Sequence, residues 1–198
     1  NICRIATAII IVLALFSSSR LDFINNEYVQ ANGSVTIDGP VSSGAFTGNP
    51  TFSHTTGTGE SRLMLVGVSW GRTTSPGSYR SISTITFNGI NLELVIHSTQ
   101  DPINCVAIYR YPGEAPYEIS ADVSITFSSV NVNAVVGVIN FAGVDLSNPF
   151  EDITSTTGSD ASNIVIDVQS QNGFMVFDTV SSESSSLTSD LNQEEQWK

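Results

Sequence analysis

His54 and His97 are the only imidazoles in the chain, and the first lies beside Ser53 in TFSHTTGTGESRLMLVGVSWG, residues 51–71. A serine hydrolase needs a serine, a histidine and an acid converging on one point. Ser53 and His54 are adjacent in a strand-like stretch, so their side chains point to opposite faces and cannot act on each other. The chain has no G-x-S-x-G elbow and no strand-helix alternation to support one. A zinc centre would need further ligands beside the two histidines, and no recognisable third one accompanies them. The expectation is that the protein is not an enzyme. His54 is expected to be structural, its ring hydrogen-bonded to a neighbouring turn or loop.

Oxygen ligands offer a second chemistry. If NIVIDVQ (163–169) and FMVFDTV (174–180) form a hairpin turning at Asn172 and Gly173, Asp167 falls opposite Asp178. Like charges facing each other destabilise a strand pair, and calcium would bridge them. A longer loop, or strands in different sheets, would separate the two carboxylates instead. Asp145, Asn148, Glu151 and Asp152 in VDLSNPFED form another oxygen-rich cluster, of the kind a turn also requires. No cofactor other than calcium is suggested. Among the aromatic residues, Trp70 and Tyr79, with Tyr109, Tyr111 and Tyr117, are candidates for stacking on sugar rings, although strand aromatics also serve core packing.

The elements that must position these residues are strands. From Val35 onward short apolar or alternating runs are separated by turn signals, with no useful helical period. Strands are expected at 35–38, 51–56, 63–70, 81–87, 90–97, 105–111, 122–128, 134–142, 163–169 and 174–180. The unbroken apolar runs at 63–68 and 134–139 suit strands covered on both faces or central in a sheet, whereas DVSITFS alternates as a strand with one wet face does. The fold class is therefore all-β, a two-sheet antiparallel sandwich. Asn88-Gly89 is a type I′ hairpin signal that pairs Phe87 with Ile90 and Ile85 with Leu92 on one face. Continued, the same ladder would set Arg80 opposite His97 on the solvent face.

Composition agrees with an extracellular module. Charged residues make up 13% of the chain, and the net charge is −12 with Lys198 the only lysine, which argues against nucleic acid and anionic lipid as partners. Arg4 followed by IATAIIIVLALF (5–16) reads as the core of a helical secretion signal, too short to span a bilayer. Cleavage after Ser19 or after Ala31 both fit, and an uncleaved anchor is the alternative, which would be the chain's one link to a membrane. Residues 1–31 are thus expected to be signal and spacer, and 32–198 the sandwich domain. Removal of Cys3 with the signal would leave Cys105, in a strand-like stretch, as a small buried hydrophobe. Asn32-Gly33-Ser34 matches a glycosylation acceptor pattern.

The linked order of SHTTGTGESRLMLVGVSW, ITFNGINLELV, VAIYRYPGEAP, VSITFS and AVVGVINFAGVDLSNPF resembles an uncharacterised module of large secreted and cell-surface proteins of bacteria and archaea. The resemblance covers residues 35–198. It implies a jelly-roll-like sandwich in which His54 belongs to a strand-turn signature rather than an active site. In similar sequences one more strand follows the segment resembling GFMVFDTVSS…QEEQW, so a truncated last strand and an unprotected sheet edge near Trp197 are expected.

Three function classes follow: a non-catalytic structural or adhesive surface module, a carbohydrate-binding module, and a subunit of an extracellular filament joined by strand donation. Polysaccharide or neighbouring surface domains are the partners these readings imply. Secretion or the cell surface is the expected location.

Overall fold

The computed structural model describes residues 7–15, 21–24, 27–30, 34–72, 80–98, 104–129, 132–159, 166–170, 172–182 and 194–196. None of these residues is helical, and no helix is long and apolar enough to cross a membrane. The strands are β1 (Thr7–Leu15), β2 (Leu21–Ile24), β3 (Glu27–Gln30), β4 (Thr36–Ile37), β5 (Ser42–Thr47), β6 (Thr51–Thr55), β7 (Leu63–Arg72) and β8 (Ile82–Phe87). They continue with β9 (Ile90–Asn91), β10 (Glu93–Ser98), β11 (Asn104–Arg110), β12 (Ser120–Phe127), β13 (Val132–Ala142), β14 (Phe150–Ser159) and β15 (Met175–Ser182).

Two antiparallel sheets form the body. One runs β10-β11-β7-β13, with β4 and β5 both on the far side of β13, and the other runs β6-β12-β8-β9. Side chains alternate across a pleat, and β7 shows why its run is apolar throughout. Met64, Val66, Val68 and Trp70 enter the core shared with Ile85, Phe87, Val123, Ile125 and Phe127 of the facing sheet. Leu63 and Leu65 enter a second core on the opposite face. β13 divides in the same way, Val136 and Val138 to the first core and Ile139 and Phe141 to the second. Burying one such side chain contributes roughly 1.5–3 kcal/mol, so a strand covered on both faces gains about twice what a half-wet strand does.

The second core is closed by a smaller sheet ordered β14-β1-β15, from which Leu15 and Phe177 pack among Leu65, Val106, Ile108 and Phe141. β1 is antiparallel to both neighbours, so β14 and β15 run parallel to each other with one strand between them. Thr7–Leu15 is extended as β1, and the other residues of the expected signal segment, 1–6 and 16, lie outside the described residues. Export is read on the unfolded nascent chain, so its folded conformation does not bear on that reading. β2 and β3 form a separate hairpin.

The Asn88-Gly89 hairpin forms in the expected register. Thr86 pairs with Asn91 and Phe87 with Ile90, and both turn residues have positive φ, 51° and 76°. Leu92 N donates to Ile85 O at 2.8 Å, and there the ladder ends. From Glu93 the chain crosses to the other sheet as β10, where His97 pairs with Ala107 rather than with Arg80. His97 is exposed, as expected of a solvent-face residue.

Several elements differ from the expected strand list: β1, β2 and β3 precede it, and the expected strand 90–97 divides into β9 and β10. β5 and β14 form from SSGAFT and FEDITSTTGS, which offer no continuous apolar signal. Residues 166–169, the described part of the expected strand 163–169, have no regular structure, although Gln169 N donates to Asp152 Oδ2 at 2.9 Å.

Candidate functional site

The residue with the most unusual surroundings is His54, 1% exposed on β6. β6 pairs with β12 through His54 and Ala121, which turns the imidazole away from Ser53 and into the space between the sheets. There it meets two elements of the facing sheet. His54 Nδ1 lies 3.0 Å from Ser42 Oγ of β5, and Nε2 lies 2.8 Å from Asn140 Nδ2 of β13. Asn140 Nδ2 also points to Thr55 O at 3.5 Å, while its Oδ1 is buried with no hydrogen-bond partner among the described residues. The Phe87 ring stands edge-on to the imidazole at 6.0 Å.

With the amide donating to Nε2, the proton of the neutral ring sits on Nδ1 and is donated to Ser42. Burial lowers the His54 pKa from 6.5 to about 4, an effect partly opposed by the hydrogen bond to Asn140. The ring is therefore neutral at pH 7, and in this tautomer it has no lone pair facing the serine hydroxyl. A Ser-His-Asn constellation exists in outline, but its members clamp one sheet to the other. Sequence reasoning places His54 against a turn or loop, whereas its partners are strand residues 12 and 86 positions away. No local signal marks such partners.

The glycine-rich stretch after His54 is organised around Asp38. Its Oδ1 accepts from Thr58 N and Gly59 N, each at 3.1 Å, and its Oδ2 accepts from Gly59 N at 3.1 Å. A Cβ on Gly57 would land on the Asp38 carboxylate, so the absence of a side chain there lets the loop wrap the anion. Arg62 anchors the far end of the loop. Its Nε donates to Ala115 O at 2.9 Å, its Nη2 pairs with Glu114 at 3.0 Å, and its guanidinium lies over the Tyr117 ring at 5.6 Å.

The other sequence candidates fall apart or inward. Trp70 is 5% exposed, donates its indole N–H to Arg80 O at 2.8 Å and packs near Phe127, so its ring faces the core. Tyr79, Asn32 and Trp197 lie outside the described residues. Tyr109 and Tyr111 pack against the main core, and Tyr117 is exposed. Asp178 of β15 pairs with Val12 of β1, and residues 166–170, which hold Asp167, have no regular structure. Asp167 is exposed, and Asp178 is half-buried with its carboxyl pushed up by desolvation. Asp145 closes a turn, accepting from Ser147 N at 3.0 Å and Ser147 Oγ at 2.6 Å, and these bonds hold its pKa down. Among the described residues no group of three or more His, Cys, Asp or Glu is arranged to hold a metal ion.

One concave surface of the described part lies on the outer face of the four-stranded sheet. It is shallow and polar, lined by Ser53, Thr86, Asn88, Ser120, Asp122 and Ser124. Ser53 Oγ lies 3.4 Å from Ser120 Oγ across the strand pair. We find no match for the chain among protein-family models, curated proteins or solved structures.

Proposed function

We propose that the protein is a non-catalytic extracellular sandwich module with a structural or adhesive role at the cell surface. The observation that carries this reading is the use made of His54. The imidazole placed beside the Ser42 hydroxyl is buried, neutral at pH 7 and donating to that hydroxyl, an arrangement that joins two sheets and supports a structural use of the residue. The signal-like segment 5–16 and the acidic, lysine-poor composition support export.

The test has two arms. Immunodetection on intact cells should find the protein outside the membrane, and a panel of ester, peptide and glycoside substrates should show no turnover. Hydrolysis that disappears in both Ser42→Ala and His54→Gln would sink the reading and make the clamp a catalytic site.

Carbohydrate binding is the second reading, favoured by the polar trough over β6, β12 and β8. Asp122 is exposed there among hydroxyls and the Asn88 amide, groups that match sugar hydroxyls as acceptors and donors. Retention on a polysaccharide that is lost in Asp122→Ala with unchanged folding would favour it over a purely structural role.

A further inference from the structure

Asn140 carries an unpaired group at the centre of the His54 clamp. It is 1% exposed, its Nδ2 lies 2.8 Å from His54 Nε2, and its Oδ1 has no hydrogen-bond partner among the described residues. A buried oxygen left unpaired is costly, so its presence calls for a use. A primary amide offers a donor and an acceptor of nearly equal size, and a half-turn of its last torsion exchanges them. The ring it faces changes in the matching sense. Neutral His54 presents a lone pair at Nε2, which the amide N–H meets. Protonated His54 presents an N–H there, and an unmoved amide would set donor against donor at 2.8 Å. Nδ1 donates to Ser42 Oγ at 3.0 Å in both forms, so only the Asn140 side of the clamp has to change.

We propose that Asn140 is a two-state latch, which donates through Nδ2 to the neutral ring and turns over to accept through Oδ1 when Nε2 gains a proton, so that the two sheets stay joined in acid. Three observations carry this. The acceptor that the acid form needs is already in place, buried and unpaired. The turn gives up little, because the second contact of Nδ2, to Thr55 O, is at 3.5 Å, the outer limit of a hydrogen bond. Each state leaves one end of the amide unpaired, while the bond to an imidazolium is shorter and stronger than the bond to a neutral ring.

The surroundings leave the response to the ring itself. Among the described residues, Ser42 of β5, Phe87 of β8, Ala121 of β12 and Asn140 of β13 face it, and none carries a charge. Asp122 is exposed on the outer face of β12, Glu118 is exposed, and the Asp38 carboxylate is engaged by the Thr58 and Gly59 amides. Desolvation keeps the ring neutral down to about pH 4, so the latch turns only in acidic surroundings. It rests on the structural use of His54 proposed above and adds how the clamp answers to a proton. Hydrolysis by Ser42 would show in the substrate panel and leave the spectra below to be read on their own, so the two readings fail separately.

The test follows His54 and Asn140 by NMR in the full, isotope-labelled chain from pH 7.5 down through the titration of the ring. At pH 7.5 a coupling through the hydrogen bond between Asn140 Nδ2 and His54 Nε2 is expected. In acid it should vanish while the folded spectrum persists, and a slowly exchanging Nε2–H should appear with the same midpoint as a shift of the Asn140 amide. Protonation of the folded ring with the amide unmoved overturns the proposal. Unfolding before the ring protonates does so too, because the second acceptor then fails to hold the clamp. Asn140→Leu supplies the sign independently. If Oδ1 serves the charged ring, its loss should lower the proton affinity of His54 several-fold. If the amide only donates, its removal takes a bond from the neutral ring and the affinity rises, which overturns the latch. Where the variant does not fold, the native spectra decide alone.

Discussion

His54 shows how burial turns a titratable group into a stability term. The unfolded chain binds a proton at 6.5 that the folded chain refuses until about pH 4. Between those values the unfolded state holds more protons, so stability falls as pH drops through the window, by about 3 kcal/mol in all. Asp178 acts with the opposite sign: its raised carboxyl pKa makes folding easier as pH falls. Urea unfolding of the native protein and His54→Leu at pH 7.5, 6, 5 and 4 separates the two, and the difference between the curves should shrink toward acid. At fixed pH 7.5, Asn140→Ala should cost about 2 kcal/mol and Ser42→Ala less than about 1 kcal/mol. The first strands a buried ring nitrogen, and the second leaves a half-buried site that water can serve. Gly57→Ala should cost about 2 kcal/mol through its collision with Asp38, and much less in an Asp38→Gly background, a non-additivity that a double-mutant cycle reads directly.

Elements whose shape is set locally were legible in the sequence, and those set by distant partners were not. Asn88 and Gly89 fix their own turn, so the pairing of Phe87 with Ile90 could be read in advance. The switch of sheet after Leu92 could not, because nothing in INLELVIH distinguishes a strand that stays from one that crosses. β14 escaped notice because ITSTTGS has no apolar alternation. Its strand character comes from the ladder that β1 supplies. NIVIDVQ looked like a strand on composition alone, and its described part is not one. Asp38 and the clamp around His54 were equally out of reach, since their partners lie 12 to 86 residues away. At the turn, a side chain on Gly89 would meet nothing within 4 Å, so the cost of substitution is purely one of backbone conformation. Gly89→Ala should therefore lower stability by about 1 kcal/mol, and Asn88→Gly should be nearly neutral, both measurable by thermal unfolding.

For the whole molecule, layering sets the order of local stability. β7 and β13 are covered on both faces, while the four-stranded sheet keeps a wet outer side. Amides of Val66, Val68, Val136 and Val138 should exchange with solvent only through global unfolding, and those of β6 and β9 orders of magnitude faster, as hydrogen exchange followed by NMR would report. The placement of β1 has a consequence in time as well as in space. Its partners in β14 and β15 are synthesised long after Thr7–Leu15 itself. At roughly 5–20 residues per second, the apolar run waits on the order of ten seconds or more for the strands that will hold it. Throughout that interval it is an apolar segment whose ladder partners have not yet been made. On the export reading proposed above, an address read during synthesis and a strand in the finished fold are successive roles for the same residues. Proteolytic removal of the segment is what would make them exclusive.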